Sequence, residues 1–474
     1  MSADEELAKD LGPLAALTIG VGTMIGAGIF VLPGTAITQA GSFAIVSFVI
    51  GGAVALLTAL AASELGTAMP KSGGAYYYVN RALGPLFGSI AGWANWIGLA
   101  FASAFYMVGF GEYIQAIIGI EGVIALGPVS LSVVKIVALV GASLFVVINY
   151  IGAKETDRLQ NVIVVILVAI LTVFTAIGAL RADPANFPPA EGFEPTITTT
   201  GLIFVSYLGF VRITSVAEEI KNPGKNPPRA VIGSVVIVTV IYALVLIVMS
   251  AAVEEGFIAA QESMGNIAVV EAARLLIGPV GVIAMLFGGL LATASSANAS
   301  ILASSHINFA MGRDGIVSPD LNEIHDRFGT PYLSIATTGG LILLFILVVD
   351  VNTLATIGSV LHLVIYGLLN LALIVMREAN VPEYEPSYTV PFYPVTPVLG
   401  ALVSFALIVS IEPGIVLLGL GFVAFAVLWY VFYARARTTE GGVLADFVLS
   451  RPDEFRESSK RRSERPARRG LGFE

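Results

Sequence analysis

Gly20-Val21-Gly22-Thr23-Met24-Ile25-Gly26-Ala27-Gly28-Ile29-Phe30 lies in the middle of an apolar stretch over residues 13–39. Four glycines fall within nine residues, 20–28. Each glycine in a helix interior costs roughly 0.5–1 kcal/mol relative to alanine. A single G-x-x-x-G pair is accounted for by close helix–helix packing, but this density goes beyond it. The spacing predicts a helix that breaks at mid-membrane. Unwinding frees N–H groups at the start of the second half-helix and C=O groups at the end of the first. The N–H end carries the positive end of the helix dipole and suits a carboxylate; the C=O end suits an ammonium or Na⁺. An α-amino acid carries both charged groups, so a substrate cradle is favoured over plain packing.

The composition agrees with a membrane setting. The chain has 474 residues, 56% hydrophobic and 12% charged, and a mean hydropathy of +0.86. Soluble domains carry about 25% charged residues. A soluble enzyme, a nucleic-acid binder and a disordered chain are thereby excluded. The 50 glycines and 23 prolines suit membrane helices, where neighbours satisfy freed backbone groups. With no cysteine, disulfides, thiolate nucleophiles and Cys-based metal sites are excluded.

A membrane helix needs about 20 apolar residues. Twelve such stretches lie near 13–39, 42–67, 85–113, 131–150, 159–180, 197–219, 229–253, 278–311, 331–349, 352–376, 395–411 and 413–434. None alternates with the period of a barrel strand, so the expectation is an all-α integral membrane protein with 12 transmembrane helices. The acidic start (Asp4, Glu5, Glu6, Asp10) and the length of the first stretch argue against a cleaved signal peptide. With both termini cytoplasmic, the inner loops hold ten Lys/Arg (Lys71, Arg81, Lys154, Arg158, Lys221, Lys225, Arg229, Arg313, Arg327, Arg377) and the outer loops two, Arg181 and Arg274. That asymmetry sets the expected orientation in the plasma membrane. The net charge of −9 divides into +3 over residues 434–474 and −12 elsewhere.

A second break is expected in 197–219, where Gly209 interrupts the helix among Ser206, Arg212, Thr214 and Ser215. Breaks in spans one and six point to a five-plus-five inverted repeat with a midplane site. The layout is then a cytoplasmic N-terminus (1–12), a transporter domain (13–434) and a cytoplasmic tail (435–474). Its repeats cover about 13–180 and 197–376, with two added helices at 395–434.

At these residues the chain resembles the amino acid permeases of the amino acid–polyamine–organocation superfamily. The matching motifs are GVGTMIGAGIF at 20–30, ELGTAMPKSGGAYYYV at 64–79, GFVRITSVAEEIKNPGKNPPRA at 209–230 and ASSANASILASSHINFAMGRDG at 294–315. The resemblance implies alternating access, with substrate between broken helices one and six. It implies that the backbone of Ile25, Gly26, Ala27 and Gly28 binds the substrate carboxylate. The carbonyls of Ser206, Tyr207 and Leu208 would take its amino group, with Tyr207 also an aromatic gate. Trp96 and Phe101 are candidates for the side-chain pocket. By analogy with sodium-dependent relatives, Gly22 and Ile25 could offer carbonyls to an ion facing Ala292, Ser295 and Ser296. The last three share one helix face by their spacing; small residues at a helix contact are the equal alternative.

The chain departs from the pattern in two places. The lysine that some proton-coupled members carry in span five is replaced by Leu167, and the acid many members carry after the GF of span six by Val211. Arg212 follows and is a candidate gate residue, pairing with Glu218, Glu219 or Glu64, or else snorkelling to the cytoplasmic face. Lys71 reads as an orientation determinant beside a Gly73-Gly74 turn. His306, His325 and His362 are too far apart to suggest a metal site, and Asn80, Asn95 and Asn298 read as interhelical hydrogen-bond partners. The basic run 458–470 could touch anionic lipid or simply be solvated.

The expected function is therefore a secondary active transporter that moves amino acids by ion-coupled symport, with amino acid or amine exchange, or a transporter-like substrate sensor, as alternatives. No enzyme, cofactor or nucleic-acid partner is expected. Na⁺ or H⁺ would be the coupling ion, and an amino acid and membrane lipid the partners. A channel would call for filter motifs or charged rings, which are missing. The chain also lacks a Walker motif for direct use of ATP.

Overall fold

The computed structural model describes residues 12–69, 73–126, 129–152, 157–210, 213, 220–222, 224–252, 267–382, 384–438, 441–445 and 447. Within them the chain is mostly helical, and eleven of the twelve apolar stretches overlap a helix or a helix pair; in 197–219 the described residues form a helix to Ile203 and a 3₁₀ turn to Phe210, and all beyond it but Ile213 lie outside the described residues. Helices α1 (Pro13–Met24) and α2 (Ala27–Ala40) share the first stretch and meet at an angle of 42°. There follow α3 (Ala44–Ala68), α4 (Gly74–Leu83), α5 (Pro85–Ile118), α6 (Val133–Tyr150), α7 (Asp157–Arg181) and α8 (Phe193–Ile203). The second half holds α9 (Asn226–Ala251), α10 (Ala268–Leu276), α11 (Pro279–Arg313), α12 (Tyr332–Val348), α13 (Val351–Glu378), α14 (Val395–Val409) and α15 (Pro413–Trp429). Among the described residues eight helices are long and apolar enough to cross a membrane on their own, and the bent α1–α2 pair, counted as one span, is a ninth. A hairpin pairs Val123–Leu126 antiparallel with Val129–Ser132 between α5 and α6.

Helices α5 and α13 are buried nearly all round, while most residues of α6, α7 and α15 are only partly covered or exposed. Small residues let the inner helices approach closely: Gly92 of α5 meets Met311 of α11, and Ser304 Oγ of α11 donates to the Trp96 carbonyl at 3.0 Å. The outer helices present Val140, Leu144, Val162, Val165, Leu417 and Leu418, a surface suited to hydrocarbon rather than water. Several polar side chains pair between helices, since an unmatched polar group here is costly. Asn149 Nδ2 donates to Asn298 Oδ1 at 2.7 Å, Asn370 Nδ2 to Thr58 Oγ1 at 3.0 Å, and Thr18 Oγ1 to Asn161 Oδ1 at 2.8 Å. Asn298 thus has the interhelical partner expected of it. Asn80 Oδ1 is buried without a partner among the described residues.

Glu64, at the end of α3, is fully buried. Its carboxylate accepts from Arg377 Nε at 2.6 Å and Nη2 at 2.5 Å, from the Tyr384 hydroxyl at 3.0 Å and from the Val390 N–H at 2.6 Å. A buried charge needs this full set of partners. Burial and the adjacent carboxylate hold the Tyr384 hydroxyl protonated, well above the ordinary tyrosine range. The segment between α13 and α14 is thereby tied to α3. Gly73 and Gly74 take positive φ, 122° and 54°, at the expected turn. Arg212, Val211, Lys71, Glu218, Glu219 and the run 458–470 lie outside the described residues.

Candidate substrate site

The first break occupies two residues. The Ile25 N–H donates to Val21 O at 2.8 Å and the Gly26 N–H to Met24 O at 2.6 Å, which closes α1. Helix α2 restarts at Ala27 without a side-chain cap. The N–H groups of Ala27, Gly28 and Ile29 therefore have no partner within their own helix. They form a donor array at the positive end of the α2 dipole, with no acidic residue in that first turn.

The glycines are there because four other segments press against the break. A Cβ on Gly22 would fall within 3.0 Å of Val164 Cγ2 in α7, and one on Gly26 within 3.0 Å of Ser296 Oγ in α11. One on Gly28 would meet the side chain and Cα of Ser206, and one on Gly20 the side chains of Ile213 and Ser234. Close packing and the broken backbone thus use the same glycines.

The second break is longer. Helix α8 passes at Phe204 into a 3₁₀ turn that runs to Phe210. Four of its backbone groups are met by side-chain hydroxyls. The Tyr242 hydroxyl of α9 lies 2.5 Å from Met24 O and 3.3 Å from Ser206 O, so one side chain spans both breaks. Tyr366 OH reaches Leu208 O at 3.4 Å, Thr23 Oγ1 donates to Gly209 O at 3.0 Å, and Ser359 Oγ accepts from the Val205 N–H at 2.8 Å. A Cβ on Gly209 would strike the backbone of Thr23 and Met24. The two breaks therefore touch through main chain.

A cavity of about 440 Å³ begins at this junction, where Thr23, Leu208, Gly209 and Ser296 line it. It continues to Gly73, His306 and Arg313, of which His306 and Arg313 are exposed. The Ser206 and Ser296 hydroxyls are buried beside the break with no partner among the described residues. Of the residues expected to hold substrate, Leu208 lines this cavity; Ile25, Gly26, Ala27, Gly28, Ser206 and Tyr207 lie behind its wall.

A sequence profile described as amino acid permease matches residues 11–440. The chain belongs to the amino acid permease family. Its relatives include the branched-chain amino acid permease BcaP of Bacillus subtilis, 28% identical over 92% of this chain and 95% of the relative. The methylthioribose transporter of the same organism is 29% identical over 92% and 95%. The serine/threonine exchanger SteT, also of B. subtilis, is 27% identical over 85% and 91%. These are transporters and not enzymes, and the permease is a multi-pass membrane protein of their kind.

The permease brings Gly26, Gly28, Ser206 and Ser296 together, and buries Ile25 and Ala27 around them. Tyr207 is also buried; its hydroxyl donates to Phe48 O at 2.8 Å and its ring packs edge-on against Tyr242. Ala292 is fully buried, and Ser295 Oγ donates to Gln160 Oε1 of α7 at 2.9 Å. The Gln160 side chain also flanks Gly22. Trp96 and Phe101 face away from the cavity: Trp96 Nε1 donates to Thr338 Oγ1 at 2.9 Å, and Phe101 stacks on Phe345 with ring centroids 4.0 Å apart. Asn95, Leu99 and Tyr106 line it instead. Those three share one stripe of α5, and the helical turn of about 100° per residue carries 96 and 101 off it.

Tyr242 and Tyr366 carry no motif that marks them in the sequence; the one signal for Tyr242 is an aromatic hydroxyl within the long apolar run of α9. His362, too far in sequence from the other histidines to suggest a metal site, is buried in the cavity wall. Among the described residues no three His, Asp or Glu gather as a metal-binding set.

Proposed function

We propose that the permease is a secondary active transporter that carries amino acids across the plasma membrane by alternating access. Twelve spans arranged as a five-plus-five inverted repeat, with both termini cytoplasmic, frame the site in this reading. The substrate carboxylate sits on the N–H groups at the start of α2. Its amino group is taken by the carbonyls of Ser206, Tyr207 and Leu208. With the Lys/Arg-rich loops inside, the cavity mouth at Gly73, His306 and Arg313 faces the cytoplasm. Tyr207, buried against Phe48 and Tyr242, then stands as the closed gate on the opposite side. The observation that carries the reading is the uncapped N-terminus of α2 with the unpartnered Ser206 hydroxyl against Gly28 and the unpartnered Ser296 hydroxyl against Gly26, Ser296 also lining the cavity.

Ion-coupled symport is the first mode to test. Ser296, with its unpartnered hydroxyl against Gly26, supports a coupling ion held with Gly22, Ile25, Ala292 and Ser295. Exchange is the second mode, favoured by the likeness to an exchanger and by the engagement of Ser295 with Gln160 rather than with α1. Counterflow into proteoliposomes with all the common amino acids, with and without a Na⁺ gradient, tests both. Trans-stimulated uptake of at least one amino acid is expected. If no amino acid, amine or polyamine exchanges, the reading fails.

A further inference from the structure

Two polar side chains in the cavity wall have no use in the account so far. His362 of α13 is 4% exposed and Asn95 of α5 is 9% exposed, and both line the cavity. The His362 Nδ1 stands 2.8 Å from Gly358 O, one turn back on its own helix. A ring nitrogen facing a carbonyl at that distance carries the proton, which leaves Nε2 of the neutral imidazole as a bare acceptor. The same ring packs on Gly98, where a Cβ would meet Cε1 and Nδ1 inside 3.0 Å. Asn95 precedes Gly98 by three residues, on the same side of α5. Its carboxamide has no hydrogen-bond partner among the described residues.

The pair is also level with the breaks. Ser359, three residues before His362, holds the Val205 N–H, and Tyr366, four residues after it, reaches Leu208 O. A substrate anchored by its α-carboxylate at α2 and its amino group at the second break would turn its side chain toward this wall.

We propose that Asn95 and His362 form the side-chain subsite and select neutral amino acids whose side chain carries a hydroxyl or a carboxamide; this rests on the amino acid transport proposed above. Nε2 accepts one hydrogen bond, and the Asn95 carboxamide both donates and accepts. A hydroxyl or an amide matches that pair, whereas an aliphatic side chain would bury both polar groups unpaired. A carboxylate offers only lone pairs to a bare Nε2. No Asp or Glu is among the described lining residues to pair a cationic side chain, and Arg313, at the far mouth, is already engaged by Asp314 at 3.1 Å.

The test is competition for counterflow in proteoliposomes between near-isosteres: threonine against valine, and glutamine against methionine. In the unaltered protein the polar member is expected to win by about tenfold or more. His362→Phe and Asn95→Leu should each bring the threonine-to-valine ratio down to about threefold or less, and His362→Gln, which keeps an acceptor near the Nε2 position, should retain part of it. Valine matching or beating threonine in the unaltered protein would overturn the inference without any variant. So would a ratio that survives both His362→Phe and Asn95→Leu. Either of those outcomes would leave amino acid transport standing; absence of exchange by any amino acid would remove transport itself, and the subsite with it.

Discussion

The two breaks meet at one junction, yet they are built on opposite principles. The first is a sharp, two-residue interruption at Ile25–Gly26 that leaves the α2 N–H groups without intrahelical partners. The second is a 3₁₀ run from Phe204 to Phe210 whose polar groups are met by Tyr242, Tyr366, Thr23 and Ser359. One break offers unpaired donors; the other has many of its acceptors already engaged. A carboxylate can bind the first with no prior bond to displace, whereas an amino group at the second must share carbonyls with tyrosine hydroxyls. In the proposed reading the first break is the anchor for the carboxylate and the second the weaker partner.

The largest expected effects come from filling the space where the breaks touch. Gly28→Ala places a Cβ against Ser206 including its Cα, and Gly209→Ala places one against the Thr23 and Met24 backbone. Backbone contacts of this kind cannot be relieved by a rotamer change. Both variants should lose more than about 90% of counterflow, since overpacking costs roughly 1–3 kcal/mol or more and misplaces the donors. Full activity in Gly209→Ala, measured at equal protein per liposome, would show that the junction is looser than described.

Tyr242→Phe comes next. It removes the one hydroxyl shared by Met24 O and Ser206 O, leaving buried carbonyls without that partner at a cost of about 1–3 kcal/mol. A lower thermal midpoint in detergent and weaker uptake should follow. If only uptake falls, Tyr242 serves the substrate rather than the junction. The smallest effect is expected for Tyr366→Phe, whose contact with Leu208 O is long at 3.4 Å. Its midpoint should stay within a few degrees of the unaltered protein, as befits a loss of less than about 1 kcal/mol. A shift as large as that of Tyr242→Phe would erase the ranking of the two hydroxyls.

The same contrast explains what could be read from residues alone. Four glycines in nine positions of an apolar run have few structural uses, so the first break was legible to within the window 20–28, and residues 25–28 were singled out in it by the family resemblance. Gly209 marked the second break, but among the described residues the irregular stretch begins five residues before it, at Phe204, where partners on α9 and α13 meet the backbone. The span boundaries followed from hydropathy. The cavity wall did not: α5 is buried nearly all round, so nothing in its pattern separates the stripe of Asn95, Leu99 and Tyr106 from the faces of Trp96 and Phe101. Glu64 was readable as a charge near a helix end, but its partner Arg377 is 313 residues away and becomes visible only when α3 and α13 pack.

The central claim is that the α2 N-terminus holds the carboxylate of an amino acid. Counterflow of the best-transported amino acid should be compared with that of its α-carboxamide, which keeps the amino group and side chain but lacks the negative charge. The account predicts that the amide competes at least about 100-fold less well, as expected when a charge-assisted set of hydrogen bonds is lost. An amide that competes as well as the acid would contradict it.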